Sequence, residues 1–259
     1  MLKRMKQYQG IVYCLLVSML SVILLLGHLV FKAAGDYMAS FPQLAPTLAV
    51  LILAYVVGNR GITESINKQL KKKPKVTEVA LVTMIPIVCM GGNALFMSLG
   101  GKVYIPWSGD AKYYILCTLA VIIGCIGEEI GWRGFFLPYL ERCYTPFISS
   151  LILGSFWGVW HLSFTGGFLG FVIFIVNTIE VTIIMTWLYH KTNCNLGLMG
   201  LYHIISNMSC RALLFGRFEV LNSVVGLLIP GLICVFILGM DWEIFWSIQG
   251  IKKIDSEIC

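Results

Sequence analysis

The chain has 259 residues, of which 58% are hydrophobic and only 12% are charged. Soluble domains carry about a quarter charged residues, and a soluble core of this length could not bury so much apolar surface. The composition therefore predicts that lipid is the natural solvent of this protein. The apolar stretches are continuous and do not alternate at every second residue, which favours helices over a membrane barrel.

Eight apolar stretches are candidates for membrane-spanning helices. The second is short for a bilayer that requires roughly 20 residues, so it is expected to tilt little or to be partly re-entrant. We predict an all-α, polytopic membrane protein with about eight transmembrane helices around a buried polar site. The whole chain, 1–259, is expected to form a single domain with a motif core at about 113–215. The predicted spans are about 10–31, 43–58, 77–99, 113–137, 146–163, 167–189, 195–215 and 221–240.

The net charge of +6 is distributed unevenly between the loops. With eight spans, 14 of the 19 Lys and Arg residues fall on the same side as the N-terminus, Arg133 and Arg142 among them. The positive-inside rule then predicts a multi-pass protein of the cell membrane with both termini in the cytoplasm. The charge is a topology signal and gives no reason to expect nucleic acid as a partner. The segment 59–76, with Lys71, Lys72 and Lys73, is expected to be a polar loop near lipid headgroups.

Ionisable residues inside membrane spans are costly and by default indicate function. Near the end of the fourth span, Glu129 and Arg133 are i,i+4 neighbours on one helix face and are expected to form an ion pair. Glu128 projects about 100° away from Glu129, so it is expected to face a cavity. The alternative is that all three residues form a structural network between helix ends.

Two further spans carry polar residues of the same kind. His161 lies near the end of the fifth span, while His203 and Asn207 form an i,i+4 pair on one face of the seventh. Each could be a structural hydrogen-bonding group on its own. Glu128, His161 and His203 are nevertheless predicted to lie roughly 12–22 Å deep, which allows them to meet in one water-holding site.

These residues resemble the signature of the CAAX-protease and bacteriocin-processing family, the membrane peptidases also called Abi proteins. The chain supplies Glu128-Glu129-x-x-x-Arg133, then His161 preceded by Trp157, then His203-x-x-x-Asn207. Trp157 stands where the family usually has Phe, and this difference is expected to affect packing and not chemistry. The order and spacing match over roughly 128–207, and the span count matches over the whole chain.

The resemblance implies an intramembrane endopeptidase. Glu128 would act as general base on a water held with His161, His203 and Asn207 would donate to the oxyanion, and Glu129 and Arg133 would orient these groups. The family has also been described as metallopeptidases, and Glu and His residues could ligate zinc. No His-Glu-x-x-His spacing is present, so no metal and no cofactor is the favoured interpretation.

The expected substrate is a membrane-associated peptide or protein, and the family's small members suggest bacteriocin or peptide maturation, self-immunity or signalling. The alternative is a non-catalytic regulator or scaffold that binds another membrane protein, such as a sensor kinase. A proton-coupled carrier is the weakest alternative, suggested by Glu128 and Glu180. Glu180, with Asn177 one turn before it, is expected to be a structural polar contact.

Overall fold

The computed structural model describes residues 8–30, 41–100, 111–214 and 220–246. Within these ranges every regular element is helical, which confirms the predicted all-α class. In chain order the elements are α1 (Gln9–Val30), α2 (Ala45–Val57), α3 (Arg60–Leu70), α4 (Val76–Leu99), α5 (Ala111–Gly131), a π-helical segment (Trp132–Phe136), α6 (Leu137–Glu141), α7 (Pro146–Trp160), α8 (Gly167–Lys191), α9 (Leu196–Leu214), α10 (Val220–Met240) and α11 (Trp242–Trp246).

Each of the eight predicted spans coincides with a helix in the described part of the chain. Large apolar side chains such as Ile11, Leu15 and Met19 on α1 are exposed, as expected for a surface that faces lipid. The chain is therefore a multi-pass membrane protein. Among the described residues, four helices have both the length and the hydropathy of a membrane span: Gln9–Gly27, Val76–Leu99, Ile115–Glu141 and Gly167–Lys191. Shorter apolar helices cover Phe41–Val57, Pro146–Trp160 and Val224–Met240.

The segment 59–76, predicted to be a polar loop, contains the helix α3. Asn59 caps its N-terminus with a side-chain hydrogen bond. Only Ile66 and Gln69 of its 11 residues are buried, so an apolar run could not reveal it. Gln69 accepts a hydrogen bond from the hydroxyl of Tyr189 at 3.0 Å, which ties α3 to α8. This polar helix therefore packs against the bundle through a narrow face.

The fourth span continues beyond its predicted end at 137. The helical path turns π-helical after Gly131, where the backbone N–H of Leu137 bonds to the carbonyl of Trp132, and it then runs to Glu141. Single π-helical turns often mark functional positions. Arg133 lies in this segment and is fully buried. It therefore has to be removed from the loop cations on which the predicted orientation was based.

Several polar connections in the described part of the chain lie at one end of the bundle. This end contains the segment after α3, the α6–α7 turn, the α8–α9 turn and the start of α11, as the predicted span order requires. Three side-chain contacts join them: Asn195 Nδ2 to the carbonyl of Lys72 (3.0 Å), His190 Nε2 to Glu141 Oε1 (2.8 Å) and Lys191 Nζ to Asp241 Oδ1 (2.8 Å).

Two glycines bring α7 and α8 into close contact. A Cβ on Gly154 would lie 2.7 Å from the Cα of Ile179, and a Cβ on Gly158 would lie 2.9 Å from the Cα of Ile175. Their spacing is that of the small-x-x-x-small pattern by which membrane helices approach each other. Trp157 lies between them in sequence, so this contact fixes its position relative to α8.

We expect Gly158→Ala to lower the free energy of unfolding by about 1–3 kcal/mol, because its Cβ would force two backbones apart. The measurement is the apparent Tm in detergent. Gly91→Ala on α4 is the matched control, because a Cβ there would have no neighbour within 4 Å. Equal Tm values for the two variants would contradict the close helix contact.

Candidate active site

Glu128 lies in the last turn of α5 and is fully buried. Its carboxylate accepts three hydrogen bonds from neutral donors: Gln43 Nε2 donates to Oε1 at 2.7 Å, Trp157 Nε1 to Oε2 at 2.7 Å and Trp132 Nε1 to Oε2 at 3.2 Å. Both lone pairs of Oε2 are therefore used, whereas Oε1 keeps the capacity for one more bond. Glu128 was predicted to face a cavity, because Arg133 was expected to pair with Glu129. In the structure the Glu128 carboxylate faces two indoles and an amide.

Glycines on α5 allow Gln43 to reach this carboxylate. A Cβ on Gly124 would lie 2.3 Å from Gln43 Oε1, and one on Gly127 would lie 2.8 Å from the side chain of Leu44. Thr47, on the first turn of α2, donates to the carbonyl of Gly127. The residues leading into α2 can thus lie directly on α5. Gln43 could not be predicted from the sequence, because its contact with Glu128 requires the residues before α2 to pack against α5.

Glu129 forms the predicted ion pair with Arg133, at 3.0 Å between Oε1 and Nη1. The same oxygen accepts a hydrogen bond from His203 Nδ1 at 2.8 Å. A carboxylate oxygen can only accept from this ring, so Nδ1 carries the hydrogen and the orientation of the ring is fixed. Glu129 therefore joins the fourth predicted span to the seventh, as an acidic residue does behind a catalytic histidine.

Trp157 contacts four of the polar residues at this site. Its indole N–H donates to Glu128, and the guanidinium of Arg133 lies over its ring at 4.8 Å from the centroid. The ring of His203 packs edge-on at 5.3 Å and 79°. The backbone carbonyl of Trp157 is 2.8 Å from His161 Nδ1. The sequence identified Trp157 only as an aromatic residue in place of Phe.

His161 lies at the exposed C-terminal end of α7. Since a carbonyl can only accept, Nδ1 donates to Trp157, and Nε2 is the nitrogen with the lone pair in the neutral ring. Among the described contacts, His161 is bonded to Trp157 and not directly to Glu128. Trp157 therefore contacts both residues that were predicted to hold one water.

Asn207 is half-buried on α9, one turn after His203. Its amide Nδ2 donates to the thiol sulfur of Cys125 at 3.1 Å. Cys125 is fully buried and lies one turn before Glu129 on α5. Cys125 was not predicted to belong to the site, although its i,i+4 spacing from Glu129 places it on the same helix face.

The site has polar capacity that the described residues do not use. Glu129 Oε2 and the Nε and Nη2 atoms of Arg133 are buried without a hydrogen-bond partner among them. No three His, Cys, Asp or Glu side chains in the described ranges are close enough to hold a metal ion. The described residues therefore offer no set of three such ligands for a metal.

Glu180 and Asn177 lie on α8 and face α10. Asn177 Nδ2 donates to the carbonyl of Gly226 at 3.3 Å. Pro230, four residues later, has no N–H for this carbonyl, so the asparagine replaces a missing helical donor. A Cβ on Gly231 would lie 3.0 Å from Glu180 Oε1, which shows how closely α10 approaches this carboxyl.

Comparisons with known proteins identify relatives of the segment that carries these residues. Residues 110–209 match the family described as Type II CAAX prenyl endopeptidase Rce1-like, and this segment includes every residue of the motifs from Glu128 to Asn207. The chain is 23% identical to CAAX prenyl protease 2 of Methanococcus maripaludis over 186 residues, which cover 61% of this chain and 69% of that protein. Both matches support intramembrane endopeptidase activity. The resemblance to the CAAX-protease and bacteriocin-processing family that was inferred from the motifs is thereby confirmed for the segment 110–209.

Proposed function

We propose that this protein hydrolyses a peptide bond of a membrane-associated substrate, with Glu128 as the general base. The observation that carries the proposal is the hydrogen bonding of this buried carboxylate. Three neutral donors hold it, and Oε1 keeps one free lone pair. Glu129, its neighbour, is engaged by Arg133 and His203 instead. Two adjacent carboxylates thus have different environments, which suits them to different tasks.

The proposed reaction uses one water. Its oxygen attacks the carbonyl carbon of the scissile bond while one of its protons passes to Glu128 Oε1. The tetrahedral intermediate then breaks its C–N bond, and the proton held by Glu128 passes to the leaving amine. The products are a carboxylic acid and an amine, which become a carboxylate and an ammonium ion when the acid proton passes to the amine, and Glu128 returns to its ionised form.

The histidines and Asn207 take the remaining roles that the family resemblance implies. We assign His161 Nε2 to positioning of the water, because its Nδ1 is already engaged with the carbonyl of Trp157. His203, whose Nδ1–H is held by Glu129, can donate through Nε2 only as the imidazolium, and in that form it is assigned to the oxyanion together with the Asn207 amide. They lie one helical turn apart on α9, so both can donate towards one oxygen. Glu129 supports this role by holding the His203 ring.

The substrate class follows from the names of the matched proteins, and we propose a lipid-modified peptide. The test is a prenylated peptide with a C-terminal CAAX sequence, incubated with the purified protein in vesicles beside the same peptide without the prenyl group. We expect cleavage of the prenylated peptide only, and unchanged cleavage after a metal chelator is added. Preferential cleavage of the unmodified peptide would contradict the substrate class, and loss of activity with chelator would contradict the metal-free mechanism.

We propose further that the polar end of the bundle faces the cytoplasm, as the basic loops favour. Cys143, exposed in the α6–α7 turn, reports on this directly. We expect a membrane-impermeant maleimide to label the wild type more than Cys143→Ser in inside-out vesicles, and both equally in intact cells. Stronger labelling of the wild type than of Cys143→Ser in intact cells would contradict this orientation.

A further inference from the structure

We propose that Trp157 is a positioning residue for Glu128. Its indole N–H, together with that of Trp132, occupies one carboxylate oxygen and leaves the other to take the proton. This inference rests on the proposed role of Glu128 as base. It assigns different tasks to the two oxygens of one side chain: Oε2 holds the group in place, and Oε1 reacts.

The donor chemistry supports this division. An indole N–H can donate but cannot accept, so neither tryptophan competes for a proton carried by Glu128. The bond from Trp157 is the shorter of the two, 2.7 Å against 3.2 Å from Trp132. Hydrogen bonds to a charged group are stronger than neutral ones, above all in a buried site. Trp157 is therefore expected to contribute more than Trp132.

Both indoles are held rigidly, as a positioning function requires. Trp157 is fixed on α7 next to the Gly158 contact with α8, and its ring contacts both Arg133 and His203. Trp132 is fully buried in the π-helical segment. Three aromatic rings pack edge-on against it at 5.7–5.9 Å: Tyr13, Phe156 and Trp160. Neither side chain can turn away from Glu128 without disturbing these contacts.

The geometry also corrects the expectation that a tryptophan in place of phenylalanine at position 157 affects packing alone. Phenylalanine has no N–H, so Trp157→Phe would leave Trp132 as the single donor to Glu128 Oε2 among the described residues. The aromatic surface towards Arg133 and His203 would remain. Trp157→Phe therefore tests the hydrogen bond to Glu128 separately from the aromatic packing of residue 157.

Trp187 provides a matched control. Its indole N–H donates to the carboxylate of Asp241 at 2.7 Å, the same distance as from Trp157 to Glu128, but at the polar end of the bundle. Trp187→Phe therefore removes an equivalent bond outside the site. Three measurements separate the possible outcomes: the kinetics of both Phe variants, the indole N–H resonances of ¹⁵N-tryptophan-labelled protein, and the effect of Glu128→Gln on those resonances.

With the prenylated peptide as probe, we expect Trp157→Phe to lower kcat about 10- to 100-fold with KM unchanged, the loss of one bond to a charged group. Trp187→Phe should keep the kcat and KM of the wild type. Replacement of Trp157 by benzothienylalanine, which keeps the bicyclic shape without the N–H, should reproduce the loss if Trp157→Phe folds poorly. Glu128→Gln should move the resonances of Trp132 and Trp157 and leave that of Trp187 in place.

Unmoved resonances of Trp132 and Trp157 in Glu128→Gln would overturn the hydrogen bonds, whatever the activity. Resonances that move, combined with a wild-type kcat in both position-157 variants, would overturn the positioning role. Full turnover by Glu128→Gln would instead refute the proposed function, while the resonances still report on the bonds. The two failures can therefore be distinguished.

Discussion

Glu128→Gln is expected to lower kcat about 1,000-fold, within the range that general-base catalysis contributes. Glutamine has nearly the same shape, and its carbonyl oxygen can still accept from an indole, but it cannot take a proton from water. We expect the variant to reach the membrane in normal amounts. The measurement is single-turnover cleavage at a fixed amount of folded protein.

Glu64→Gln is the control for this variant, because Glu64 is exposed on α3, away from the site. It should retain the kcat of the wild type. A Glu128→Gln protein that kept half of the wild-type kcat would refute Glu128 as the base, and Glu129 would then be the carboxylate to test.

Arg133→Met is expected to lower the free energy of unfolding by about 3–5 kcal/mol, because it leaves Glu129 buried without its cation. The ion pair has no solvent exposure to screen it: the side chains are 0% and 1% exposed. In the double variant Glu129→Gln/Arg133→Met, the unpaired charge is gone and most of the stability should return. Activity should not return, because the neutral amide at position 129 can still accept from the His203 ring but cannot stabilise its imidazolium form. Thermal unfolding and kcat are measured on the same samples.

Lys191→Met is the comparison for this series. Its partner Asp241 lies at the polar end of the bundle, and the Lys191 side chain is 39% exposed. An exposed pair contributes about 0–1 kcal/mol, so this variant should be nearly as stable as the wild type. If the double variant recovered full activity, Glu129 would be purely structural and His203 would not need it.

The helical fold could be predicted because long, continuous apolar runs in lipid must satisfy their backbone hydrogen bonds internally, and a helix does so within one segment. The same reasoning could not identify α3, where charged residues surround a two-residue buried face. It also ended the fourth span too early. The π-helical segment from Trp132 to Phe136 depends on tertiary packing of aromatic residues, which no hydropathy pattern records.

Helix periodicity was enough to pair Glu129 with Arg133. The same i,i+4 rule applies to Glu128 and Trp132, and it identifies one donor to the proposed base from sequence alone. Gln43 and Trp157 could not be identified in this way, because they reach Glu128 from other parts of the chain. The sequence therefore indicates which residues are polar and buried, while the fold decides which atoms meet.

We propose that this chain hydrolyses peptide bonds in the membrane through Glu128. The most direct test of this proposal does not require a known substrate. Membranes carrying the wild type or Glu128→Gln are incubated in H₂¹⁸O, and newly formed C-termini are searched by mass spectrometry for ¹⁸O. We predict labelled C-termini of membrane-associated peptides or proteins with the wild type and their absence with Glu128→Gln. The same labelled C-termini in both samples would contradict hydrolysis through Glu128.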